Sequence, residues 1–280
     1  KFFDTIIAGD LYSLSSASVF KNINIIYDCR EIYTELAVHY YKPIYKKISY
    51  YYEKYFLKNV NTIITTAKTD ELLLKQKYAK FQHLNWEQIY NYPMNHSSNK
   101  KLYLKKNFNI PINHTIIVYQ GVIQKNRGIG QLMKVIKSSE DLTAIIVGNG
   151  EEKNYYINRA MQLNISNRVK FINGVPYLKL LDYTAGCDIG WSVIKGRGVS
   201  NQFAMPNKLF EYTLMGLPVI SSPLQNIKEV MKKYDLGVIV DENSVEDQLN
   251  AVQYINNNKM QYNHIKKITQ QNFTWDIQHE

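Results

Sequence analysis

Little in this sequence places it at once. Its two cysteines, Cys29 and Cys187, stand far apart among 280 residues and match no metal-ligand spacing. That excludes a disulfide-built scaffold and points to a reducing, cytoplasmic setting. No apolar run approaches the roughly 18–20 residues of a membrane-spanning helix, and no signal peptide is visible. Neither an Asp-x-Asp motif nor a pair of histidines at ligand spacing occurs. Acidic residues are in deficit, 24 against 34 lysines and arginines, giving a net charge of +10. That balance favours anionic partners, although lysine, asparagine, isoleucine and tyrosine are all abundant and part of the bias is compositional.

What is present is alternation. DTIIAGD, INIIYD and NTIITT read as buried strands, with helices over Ser13–Lys21 and Lys42–Asn59. A second series runs TIIVYQG, TAIIVGNG, RVKFING, CDIGWSVI, LPVISS and GVIVD. Its helices are expected over Gly130–Ser138, Glu152–Leu163, Tyr177–Ala185, Pro206–Met215, Ile227–Lys233 and Val245–Asn257. Strand and helix in steady succession predict an α/β protein of two doubly wound, Rossmann-like parallel-sheet domains facing a cleft. Polar, breaker-rich NYPMNHSSNKK marks the join. The expected division is a partial N-terminal domain over 1–93, a linker over 94–104, a C-terminal domain over 105–264, and the start of a returning helix over 265–280. The abrupt ends, Lys1 within a strand and FTWDIQHE without a stop signal, suggest a segment of a longer chain.

The stretch MPNKLFEYTLMGLPVISS carries the sharpest signal. Pro206 opens a helix and Gly216 stops it. Lys208 then lies in the first turn, where the helix dipole is already positive. A lysine there is explained by a bound anion, since free N–H groups and a cation together make a phosphate site. Glu211, three residues on, projects from a similar side and suits a pair of ribose hydroxyls. The bland alternative is an exposed i,i+3 pair worth a few tenths of a kcal/mol. In YQGVIQKNRGIGQL a strand ends at Gly121 and Arg127 precedes the next helix, a second cation at a strand's carboxyl end. Gly148 and Gly150 follow a strand in IIVGNGEE and permit close backbone approach to a ligand, or serve as an ordinary turn. The Gly174–Val175–Pro176 loop lies at the same edge and could hold a flat base. Elsewhere YYKPIYKKISYYYEKYFLKN reads as a helix whose tyrosines cover the sheet, or as one that meets a membrane surface. No recognition fold for nucleic acid accompanies it.

The ordered set YQG…RG, IIVGNGEE, RVKFINGVP, CDIGWSV and PNKLFEYTLMGLPVI resembles the retaining glycosyltransferases of family four, of GT-B architecture, in a PNKLFEY-type form. The likeness extends upstream to YDCREIY and NYP and downstream to FTWD. It implies an enzyme that transfers a sugar from a nucleotide diphosphate, a UDP-sugar, to a glycan or lipid-linked acceptor with retention and without a metal or other cofactor. Bacterial envelope polysaccharide synthesis is the implied setting, at the inner face of the plasma membrane. Arg127 and Lys208 then fall on the catalytic cations. Glu211, Asn207, Pro206, Gly148, Gly150, Val175 and Gly121 fall around the donor, and Arg30 and Asp10 on the acceptor side. Three positions depart from the family pattern: Phe203 replaces the first of its paired glutamates, Val122 an arginine, and Arg30 a histidine. A sugar-nucleotide epimerase of the same architecture stays open beside this reading, and Phe203 with Val122 keeps open a non-catalytic nucleotide- or partner-binding protein. The resemblance also implies a further strand–helix unit or two before Lys1 and a final helix after the FTWD segment.

Overall fold

The computed structural model describes residues 3–36, 42–96, 104–195 and 202–278. Of the expected linker, 97–103 lie outside the described residues. The chain divides into two compact units. The first holds the described residues up to Asn91 together with 202–205 and Leu224–Asn226; the second runs from Tyr92 to Lys195, then Pro206–Pro223, then from Ile227 onward.

The first unit is built on four parallel strands, β1 (Thr5–Ala8), β2 (Asn24–Cys29), β3 (Thr62–Thr65) and β4 (Asn85–Gln88), lying in chain order. Isoleucine and threonine dominate the first three, as suits side chains packed on a pleated surface. Along β2, Ile25, Tyr27 and Cys29 are buried while their neighbours are less so, the period-two pattern of a strand with one covered face. Three helices accompany the sheet, Ser13–Ala17, Pro43–Phe56 and Lys68–Lys77. The first is shorter than the sequence suggests. Glu53, on the second, is fully inside, where Tyr27 and Tyr78 donate hydrogen bonds of 2.9 and 2.5 Å to its carboxylate. The tyrosines of that helix are divided: Tyr50, Tyr52 and Phe56 pack on the core, whereas Tyr45, Tyr51 and Tyr55 are exposed.

The second unit has six parallel strands, β5 (Thr115–Gln120), β6 (Leu142–Val147), β7 (Val169–Ile172), β8 (Ile189–Ser192), β9 (Val219–Ser221) and β10 (Gly237–Ile239). They lie in the order β7-β6-β5-β8-β9-β10. Every residue of β5 and β6 is buried, as expected of central strands covered on both faces. Helices Ile129–Ser138, Lys153–Gln162, Tyr177–Ala185, Asn207–Leu214, Gln225–Tyr234 and Val245–Asn257 connect or cover the strands. Counted from β5, the order is the 3-2-1-4-5-6 winding of a dinucleotide-type fold, with its reversal between β5 and β8. The final helix, Ile265–Asn272, leads into Phe273, whose ring meets those of Tyr92, Phe210 and Tyr234 at 4.9–5.6 Å between centroids. The Trp275 N–H donates to the Pro93 carbonyl at 2.9 Å. The NYP and FTWD motifs therefore close on each other within the second unit.

Both cysteines are buried and free. No helix among the described residues is long and apolar enough to cross a membrane.

Candidate functional site

In a doubly wound sheet the crossovers leave in opposite directions at the reversal, and the carboxyl ends of the two strands there border a crevice. Here that place is bordered by the loop after β5, which carries Arg127, and by the exit of β8. The loop takes positive φ at Gly121, Asn126 and Gly128. Both residues flanking Arg127 are tied to β8 and its exit: Trp191 Nε1–H donates to the Gly128 carbonyl at 3.0 Å, and the Lys195 N–H to the Asn126 carbonyl at 3.1 Å. Gly128 has φ of 80°, and a Cβ there would lie 1.8 Å from the Val193 carbonyl oxygen, so only glycine fits.

Helix Asn207–Leu214 points its first turn toward the same loop. Pro206, expected as its first residue, instead caps it with φ −70° and ψ 132°, and no side chain caps its N–H groups. Leu209, Phe210, Tyr212, Thr213 and Leu214 are buried, Phe210 against the rings of Tyr92 and Phe273. The Tyr212 hydroxyl accepts from the Gln120 N–H at 3.0 Å and donates to the Trp191 carbonyl at 3.3 Å, which pins the helix beneath β5 and β8.

That docking sets Lys208 with its ammonium 4.1 Å from the centre of the Tyr119 ring, a cation–π contact. Burial, reinforced by the nearby Arg127 guanidinium and only partly offset by Glu211, pushes the Lys208 ammonium down to about 7. Two cations therefore share a partly buried space. Glu211, pushed up by burial, already accepts hydrogen bonds from the Gln120 amide and the Tyr177 hydroxyl. Gln120 is itself held, since the Thr184 hydroxyl lies 2.6 Å from its amide oxygen and leaves the NH₂ toward Glu211. Positive charge at Lys208 is thus held where burial and the neighbouring guanidinium both disfavour it, and a negative charge placed there would be favoured.

The glycines after β6 are required by the packing of two loops. The space of a Cβ at Gly148 is taken by the Gly121 carbonyl at 2.0 Å, and that at Gly150 by the Ile123 carbonyl at 2.2 Å. These glycines let the loop after β6 lie against the loop after β5. Lys153 then bonds the Gly148 carbonyl and Asn173 Oδ1 at 3.2 and 2.6 Å, and Asn149 accepts from the Gly174 N–H at 3.2 Å. The half-buried Val175 sits in the loop so fixed, two residues before Tyr177.

In the first unit Asp10 and Arg30 lie past the carboxyl ends of β1 and β2. Asp10 Oδ1 accepts from the Ser13 N–H at 2.7 Å, which holds its carboxyl below the ordinary value. Arg30 pairs with Asp28 at 2.8 Å and is mostly exposed. Phe203 packs against the hydrophobic core of this unit, and Asn226 donates to its carbonyl at 2.5 Å. A carboxylate in that place would lose apolar contacts and water together. Phe203→Glu is expected to destabilise the protein by about 1–3 kcal/mol without raising activity, read by urea unfolding beside a turnover assay.

The structure brings Arg127, Lys208 and Glu211 together and adds Tyr119, Gln120, Tyr177 and Thr184, which the sequence reading does not single out. Val122 is exposed, and its carbonyl accepts from the Tyr119 hydroxyl at 2.7 Å. Among the described residues no group of three or more His, Cys, Asp or Glu is arranged to hold a metal ion.

A family model described as "Glycosyl transferases group 1" matches residues 101–272. No curated protein sequence matches the chain. Among solved structures, the Anabaena protein HepE in complex with UDP-glucose is similar with a TM-score of 0.80 at 15% identity, over 98% of this chain and 76% of that one. Sucrose-phosphate synthase from Thermosynechococcus elongatus follows at 0.78 and 15%, over 99% and 71%. The pneumococcal O-GlcNAc transferase GtfA in complex with UDP and GlcNAc reaches 0.69 at 13%, and there the chain spans 55% of its relative. At these identities the likeness is one of fold, two Rossmann-like parallel-sheet units of the GT-B type.

Proposed function

The chain belongs to the glycosyl transferases of group 1, and from that footing we propose that it transfers a sugar from a UDP-sugar to a glycan or lipid-linked acceptor, with retention, in bacterial envelope polysaccharide synthesis. In this reading it is a PNKLFEY-type member of retaining family four. The second unit takes the donor and the first the acceptor. The observation that carries the reading is the Arg127–Lys208 pair, two cations at the switch point of the sheet with Lys208 pushed down to about 7. A diphosphate there would offset their mutual repulsion and the burial of the Lys208 ammonium. Structures similar in fold hold UDP, or UDP-glucose, in their complexes.

Each residue has a stated task. Arg127, Lys208 and the N–H groups at Asn207 face the diphosphate, with Pro206 setting the direction of the helix. Glu211, aimed by Gln120 and Tyr177, accepts from the ribose hydroxyls. The Gly174–Val175–Pro176 backbone meets the base, and Gly121, Gly148 and Gly150 shape the loops around the donor. Arg30 and Asp10 are assigned to the acceptor. In the reaction the acceptor oxygen forms a bond to the anomeric carbon as the bond to the diphosphate oxygen breaks. The hydroxyl proton passes to that departing oxygen, on the same face of the sugar. Charge grows on the leaving diphosphate, so preorganised cations contribute most of the acceleration. No residue need act as base, which makes Phe203 tolerable, and no metal is given a role.

Release of UDP from UDP-glucose or UDP-GlcNAc, with and without a glycan acceptor, tests the reading. Release that depends on acceptor, with a product of retained configuration, is the expected outcome. Conversion of donor sugar without acceptor would indicate an epimerase. Saturable UDP binding without any turnover across acceptors would point to a non-catalytic protein, the alternative that Phe203 and Val122 favour.

A further inference from the structure

Helix Pro43–Phe56 of the first unit wears its apolar stripe on the outside. Ile44, Ile48, Tyr51 and Tyr55 are 66, 58, 64 and 62% exposed. Their spacing of four, three and four places them in one line along a helix about 20 Å long. The face opposite is the one that packs, and it holds Glu53, the only carboxylate on this helix, buried beneath Tyr27 and Tyr78. A surface helix ordinarily turns its apolar stripe to the core and its charges to water. Here the core is already served by Tyr50, Tyr52 and Phe56, and the exposed stripe is surplus to folding.

The charges beside the stripe have one sign. At 3.6 residues per turn, Lys47, Lys54 and Lys58 fall along one flank. Lys54 lies over the rings of Tyr50 and Tyr51 at 5.1 and 6.0 Å, and Lys58 over Tyr55 at 5.1 Å. Among the described residues none of the three pairs with a carboxylate. Lys46, nearer the packed side, is the one that does, with Glu35 at 2.6 Å. An aliphatic and tyrosine line bordered by unpaired lysines matches the boundary of an anionic bilayer, where tyrosine rings sit at headgroup depth and ammonium groups meet lipid phosphates. A second copy of the chain fits less well, because antiparallel stacking of this face would bring two lysine rows together.

We propose that this helix docks the first unit on an anionic membrane surface, with Ile44, Ile48, Tyr51 and Tyr55 entering the interface and Lys47, Lys54 and Lys58 on the phosphates. The proposal stands apart from the donor site and does not depend on it.

Co-sedimentation of the full chain with equimolar phosphatidylglycerol–phosphatidylcholine vesicles, against phosphatidylcholine alone, tests it. Binding is expected only to the anionic vesicles and should weaken in high salt. Ile48→Ser/Tyr51→Ser/Tyr55→Ser should lower partitioning by at least about tenfold while keeping the parent melting temperature, since all three side chains are exposed. Lys47→Gln/Lys54→Gln/Lys58→Gln, which leaves the stripe intact, should weaken it by about fivefold per lysine. Absence of binding to anionic vesicles would overturn the proposal. So would equal binding by the serine variant, or a parent dimer in solution that the serine variant dissolves. UDP binding should be unchanged in both variants, so a failure here leaves the donor reading untouched.

Discussion

Replacing Arg127 or Lys208 by alanine is expected to lower turnover of a UDP-sugar by about 10²–10³-fold, equivalent to about 2.7–4 kcal/mol of barrier. The effect is electrostatic. Both cations are held before any ligand arrives: Arg127 because its neighbours Asn126 and Gly128 are bonded to Lys195 and Trp191, Lys208 because the Tyr212 hydroxyl anchors its helix to β5 and β8. Their cost of gathering is met in folding and not during reaction, so both side chains are in place for the growing charge on a leaving diphosphate, Lys208 once it is protonated. The double variant should lose more than the product of the two single losses, because Arg127 repels the Lys208 ammonium, and removing the guanidinium favours the charged lysine and cushions that single loss. Steady-state kinetics of the three variants settle the point. Losses under twofold in both single variants would remove these residues from the chemistry.

Gly128→Ala should be strongly disruptive in the second unit. The added Cβ would fall 1.8 Å from the Val193 carbonyl oxygen and 2.9 Å from its carbon, both backbone atoms, at a φ of 80°. Neither neighbour can yield by a rotamer change, so strand exit and loop must separate. A left-handed conformation and forced overpacking each cost about 1–3 kcal/mol, and a total of about 3 kcal/mol or more is expected. Gly216→Ala supplies the control: its φ is 84°, yet the nearest atom to the new Cβ is the Lys266 Cβ at 3.7 Å. Only the backbone term applies there, about 1–2 kcal/mol. Urea unfolding of the two variants should separate them clearly, and whatever folded Gly128→Ala remains should bind UDP weakly. Equal stability losses would show that the loop can move away from β8 freely.

The central strands of the second unit are legible because TIIVYQ and LTAIIV are unbroken apolar runs, the mark of strands covered on both faces. The switch point then follows from strand order, and with it the neighbourhood of Arg127, Lys208 and Glu211. The edge of the first sheet is harder to read. β4 is Asn85–Gln88, with no residue fully buried, so NWEQ offers neither a run nor an apolar alternation. Helix Lys68–Lys77 escapes for a related reason: Asp70 and Glu71 are buried with Leu74, and charged residues on the covered side blur the helical period.

Within the site, Tyr119, Gln120 and Tyr177 are missed because what gives them meaning is an approach across the fold. Gln120 meets Glu211 from 91 positions away. One local sign was available. Gln120 is a glutamine closing a strand otherwise rich in isoleucine and valine, and a buried amide must have partners. Its partners are Thr184 and Glu211, and its task is to aim a carboxylate.

The most direct test of the donor site is calorimetric titration of the full chain with UDP near pH 8, in buffers of different ionisation enthalpy, beside Lys208→Met. With Lys208 pushed down to about 7 in the free protein, most of its amines are neutral at that pH. A bound diphosphate favours the ammonium and raises its pKa, so the complex holds more protons than the free chain. Affinity should therefore fall as pH rises above about 7, while the terminal phosphate, with a second pKa near 6, is already ionised. Saturable binding with uptake of close to one proton is expected, and the loss of both in Lys208→Met. Absence of binding by the folded parent, or equal affinity in the variant without proton uptake in either, would contradict that expectation.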